Sequence, residues 1–179
     1  MNELEQLISD IQLTGNKTSE QKLMKNIEEN SASTINNLLI LLAQSRQVSI
    51  RAFIAIILRQ VLPKSEPSLF MSCSIQLQAH IKKELLLILQ NESERYVKHQ
   101  IVHVISELAS ILIYRNEWPE LIPYIFNILS FQNDNQHHAM ILLGLICERN
   151  EDSINPTLLR QILSIYDINI KTNDIVHHL

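Results

Sequence analysis

Apolar residues recur at helical spacing along almost the whole of this chain, and short polar breaks separate one run from the next. Leu4, Leu7, Ile8 and Ile11 mark a first helix, which Gly15 and Asn16 end. Leu23, Met24 and Ile27 mark a second, with Thr18 or Ser19 as its cap. A third carries Ile35, Leu38, Leu39 and Leu42 behind a cap at Ser33. The fourth spans 48–62 and halts at Pro63, before a loop containing Pro67. A fifth spans 75–89, the polar run Asn91-Glu92-Ser93-Glu94 breaks it, and a sixth spans 95–113. Three more follow at 119–131, 137–149 and 156–168. With only two glycines and five prolines in 179 residues, little turn chemistry is left for a many-stranded β fold. The chain reads as all-α.

The break at 116–126, N-E-W-P-E-L-I-P-Y-I-F, shows how the helices are organised. Proline gives up no hydrogen bond at a first helical position, so Trp118 and Pro119 predict a helix start. Leu121, Ile122, Ile125, Phe126 and Leu129 then require a neighbour to cover one face. First helices of successive pairs begin near residues 3, 33, 75, 118 and 156, close to the roughly 40 to 47 residues of HEAT and armadillo arrays. The expected fold is a single α-solenoid over 1–179, with four antiparallel pairs (3–30, 33–63, 75–113, 118–150) and a partial fifth (156–179).

Several classes of chemistry are absent from the sequence. A net charge of -4 and a pI near 6.0 argue against a general nucleic-acid surface. Cys73 and Cys147 are too few and too distant for a zinc site or a disulfide framework, which favours a reducing, intracellular compartment. The first residues lack a signal peptide's pattern, and no apolar run approaches the roughly 18 residues that cross a bilayer. The expectation is a soluble protein with no membrane, nucleic-acid, cofactor or metal partner. His99 and His103 have metal-ligand spacing, but the intervening Gln100-Ile101-Val102 lacks the glutamate base of a zinc protease. The segment reads as two histidines on a partly exposed helix face, and the adjacent pairs His137-His138 and His177-His178 as surface residues. With no phosphate loop, nucleophile elbow or reactive-cysteine signature, the chain is not expected to be an enzyme.

Stacked helix pairs bind macromolecules through extended surfaces, so charges on the second helices matter most. Arg51, Ala55 and Arg59 form one stripe, while Phe53, Ile56, Ile57 and Val61 occupy other faces. Arg51 is thereby expected to project outward, with Lys98 at the matching place in the next pair. The same residues can instead form an ion-pair ladder between repeats, for instance with Glu92.

Three segments resemble the importin-β (karyopherin-β) family. I-R-A-F-I-A-I-I-L-R-Q-V-L (50–62) is similar to the second helix of its second HEAT repeat. I-K-K-E-L-L-L-I-L-Q-N-E (81–92) with V-K-H-Q-I-V-H-V-I-S-E-L-A (97–109) resembles the third repeat, and W-P-E-L-I-P (118–123) with L-G-L-I-C-E (143–148) the fourth. The 81–92 segment is most like the karyopherin-beta-3, or importin-5-like, branch. The resemblance implies the N-terminal part of a nuclear transport receptor that shuttles between cytoplasm and nucleus. It further implies binding to Ran in its GTP form and to FG nucleoporins, with import cargo requiring a longer chain. On matching positions it nominates Arg51, Arg59, Lys98 and Glu107 as Ran contacts, and Trp118, Pro119 and Pro123 as structural. The remaining alternative is a HEAT scaffold outside transport.

Overall fold

The computed structural model describes residues 3–64, 68–130 and 135–149. Among these residues there are nine helices and no strand. They fall into two compact units, Met1–Ile111 and Leu112–Leu179. The expected helix at 156–168 lies outside the described residues.

In the first unit, α1 (Glu3–Thr14) buries Leu7 and Ile8 and ends where Gly15 turns to a φ of 61°. A side chain at Gly15 would meet nothing within 4 Å, so the backbone conformation, not space, requires glycine there. Asn16 caps α2 (Lys17–Glu29), its Oδ1 accepting from the N–H groups of Thr18 (3.0 Å) and Ser19 (3.3 Å). The sequence pointed to Thr18 or Ser19 as the cap; they are instead the second and third helical residues, which donate to it. Asn30 alone separates α2 from α3 (Ser31–Gln44), and its side chain makes no capping bond. The expected cap at Ser33 therefore lies inside the helix. Thr34 holds the corner, its Oγ1 donating to the Asn26 carbonyl at 3.0 Å.

The fourth helix, α4 (Val48–Val61), stops before Pro63 as the sequence predicts. A four-residue helix, α5 (Leu69–Ser72), follows in a stretch with no periodicity to betray it. Ser68 caps it, and its Phe70 is fully buried. Ser74 caps α6 (Ile75–Asn91), which runs two residues past the expected end and gives way to α7 (Arg95–Leu112). α1 packs on α2 and α4, while α3 packs on α2, α4 and α6. Ile35, Leu38, Leu42, Ile54, Leu58, Ile81 and Leu85 fill the space between and are sealed from solvent.

The W-P-E-L-I-P stretch lies near the start of the second unit. The Glu117 N–H bonds the Leu112 carbonyl and the Asn116 N–H that of Ile113, both at 2.9 Å, with Asn116 at a φ of 55°. This is the left-handed Schellman closure of a helix, with asparagine in glycine's usual place. Pro119 was expected at the first position of the next helix. It lies instead in the turn before α8 (Leu121–Leu129), where the Trp118 carbonyl accepts from Leu121 N–H at 3.2 Å. Pro123 occupies the first helical turn, where its missing N–H costs nothing. Both prolines are exposed, whereas Trp118 is buried. α8 packs on α9 (Gln136–Arg149), with Leu121, Ile125 and Leu129 on one side and Leu142, Leu143 and Ile146 on the other all buried.

Asn16→Ala should lower the unfolding free energy by about 1 kcal/mol, the usual worth of a cap. Leu58→Ala should lower it by about 2–5 kcal/mol, because a sealed cavity replaces the side chain. Urea denaturation followed by helical circular dichroism checks both.

Candidate partner-binding surface

Arg51 stands on the first turn of α4, and its side chain turns inward. Its Nε donates to Glu92 Oε2 at 2.8 Å, its Nη2 to Glu92 Oε1 at 3.0 Å, and its Nη1 to the Ser45 carbonyl at 2.7 Å. All three guanidinium nitrogens are engaged, and the two charged side chains are only 12% and 5% exposed. The outward projection expected from the stripe does not occur. Ala55, in the middle of that stripe, has no exposed surface, so the stripe faces protein at Arg51 and Ala55. The ladder alternative describes the geometry instead, and its partner is Glu92.

The pair belongs to a longer polar strap. Glu92 Oε1 also accepts from the Glu94 N–H at 2.9 Å, which shapes the turn into α7. On the other side, the Ser45 hydroxyl donates to Glu5 Oε1 at 2.9 Å. The strap thereby ties α1, the α3–α4 turn, α4 and the α6–α7 turn. Burial pushes the Glu92 carboxyl up, but hydrogen bonds from Arg51 and the Glu94 N–H outweigh it and hold the group below its usual 4.5. The hydrogen bond to Glu92 likewise raises Arg51 above its ordinary value, against the opposing effect of burial. Ser45 and Glu5 carried no signal in the sequence, because 40 residues separate them and neither belongs to a local motif.

The other nominated residues have different surroundings. Lys98 is buried on the first turn of α7, only 7% exposed. Glu107 is half-buried two turns further along the same helix. Arg59 is half-exposed near the end of α4 and has no hydrogen bond or ion pair among the described residues. Half-exposed Phe53 and Ile56 and exposed Gln60 lie along the outer side of the same helix. A pocket of about 320 Å³ opens beside the strap, lined by Ala43, Arg51, Glu84, Leu87, Asn91 and Glu92. Three of the five guanidinium N–H groups are already committed, so Arg51 keeps only the second N–H of each terminal nitrogen for an incoming group.

No family model matches the chain. A probable importin-5 homolog from Dictyostelium discoideum is 22% identical over 116 residues, which is 64% of this chain and 11% of that protein. A crystal structure of importin beta, obtained in an ammonium sulfate condition, matches with a TM-score of 0.73 and 21% sequence identity. That match covers 82% of this chain and 18% of importin beta, so the chain spans only a small part of either relative's length. Together the two matches bear out the all-α HEAT-repeat fold and the resemblance to the importin-β family read from the sequence.

Removing one partner leaves the other charge buried and unpaired, so Arg51→Ala should cost about 3 kcal/mol of stability at neutral pH, measured by urea denaturation. The folded chain holds Glu92 below 4.5, so this group's contribution is present above that pH and is lost as pH falls through the depressed value. In Glu92→Gln, stability should fall less steeply than in the parent as the pH drops below 4.5.

Proposed function

We propose that this chain works as a HEAT array of a nuclear transport receptor, binding Ran in its GTP form through the outer faces of its second helices and catalysing nothing. FG nucleoporins are a second class of partner on this reading, and the protein shuttles between cytoplasm and nucleus. The observation that carries the proposal is a fold matching importin beta in a chain whose sequence is also similar to a probable importin-5 homolog.

The strap moves the proposed contact along α4. Arg51 is committed internally, whereas Arg59 is half-exposed and keeps its donors for a partner, with Ile56, three residues before it, supplying apolar area nearby. A planar guanidinium beside exposed apolar carbon suits a carboxylate-bearing protein surface. The internal use of Arg51 also favours a second reading, a HEAT scaffold outside transport that keeps the repeat and has no GTPase surface.

Pull-down with Ran loaded with GTP or GDP separates the two. Retention of the GTP form alone is expected, and Arg59→Glu should weaken it about tenfold, equivalent to about 1.4 kcal/mol, with helicity unchanged. A folded chain that retains neither form would support the scaffold.

A further inference from the structure

We propose that His99 and His103 form a two-histidine site for a first-row divalent metal ion of the zinc or copper class. Their Nε2 atoms are 3.2 Å apart, with ring centroids at 4.7 Å and planes at 88°. Both side chains are half-exposed on α7, so an ion can reach them from solvent. Two imidazole nitrogens at the usual zinc distance of about 2.0–2.1 Å, subtending a tetrahedral angle, stand about 3.3 Å apart. The observed spacing is close to that of a chelating pair. A helix with histidines at i and i+4 presents both to one ion, and imidazole suits zinc and copper.

The missing glutamate excludes protease chemistry at this place and leaves chelation untouched. Without an ion, one Nε2–H donates to the other Nε2. On binding, both Nε2 lone pairs must face the metal, so the donor ring carries its proton on Nδ1 instead. Among the described residues no group of three or more His, Cys, Asp and Glu could hold an ion. In the proposed site two described side chains hold the ion and water completes its coordination. Arg95 and Glu107 stand one turn to either side on the same row of α7, so the neighbouring charges are of opposite sign.

Titration of the full chain with zinc(II) by calorimetry, and the electron paramagnetic resonance spectrum of one equivalent of copper(II), test the proposal together. Expected are zinc uptake that weakens at least tenfold in His99→Gln and in His103→Gln with helicity retained, and a copper spectrum split by two imidazole nitrogens in the parent. The absence of zinc uptake by the parent would overturn the proposal. So would uptake that both variants keep in full, which would belong to other histidines, or a copper spectrum with fewer than two nitrogens, a result that does not depend on the variants folding.

Discussion

The first unit depends on the burial of α3. Its Ile35, Leu38, Leu39 and Leu42 are sealed because α2, α4 and α6 cover it from different directions. No single helix pair could do this, since α4 alone leaves the sides facing α2 and α6 open to water. Hydrophobic burial therefore acts between pairs as much as within them, which is why such helices must stack rather than fold one pair at a time.

Apolar contact is not directional, and a smooth leucine face tolerates some sliding and rotation. The Arg51–Glu92 strap supplies direction where the core does not. Desolvating two charges costs free energy that their attraction seldom exceeds, so a buried pair is weak evidence for net stability. Here its effect is geometric: a bidentate fork and a bond to the Ser45 carbonyl fix the rotation of α4. Glu92 passes the constraint on to the turn into α7 through the Glu94 N–H.

Helix existence was legible because the 3.6-residue pattern is local: α1, α4 and α7 fall within a residue or two of where the apolar spacing put them. Boundaries set by side-chain hydrogen bonds were less legible. On spacing alone Asn16 ends α1 and Thr18 or Ser19 caps α2, and only the path of the backbone shows that Asn16 accepts and the other two donate. Helix α5 is too short to show a period, although Phe70 anchors it in the core. At the site, spacing put Arg51, Ala55 and Arg59 on one row, but it does not say which row meets the neighbouring helices. The buried Ala55 and the distant Glu92 settle the direction of Arg51, and neither fact is local.

The same rotation of α4 that turns Arg51 inward determines what the helix shows to solvent. Arg51 and Arg59 are eight residues apart, about 80° around an ideal helix, enough for one to face a packed turn and the other the rim of the exposed side. With Ile50, Ile54 and Leu58 locked in the core, Phe53, Ile56 and Gln60 are left along the outer side beside Arg59. The strap therefore need not touch a partner to influence binding. By holding α4 in one orientation, it keeps Arg59 and Ile56, three residues apart, on neighbouring parts of the exposed side, so less has to be ordered when a partner arrives.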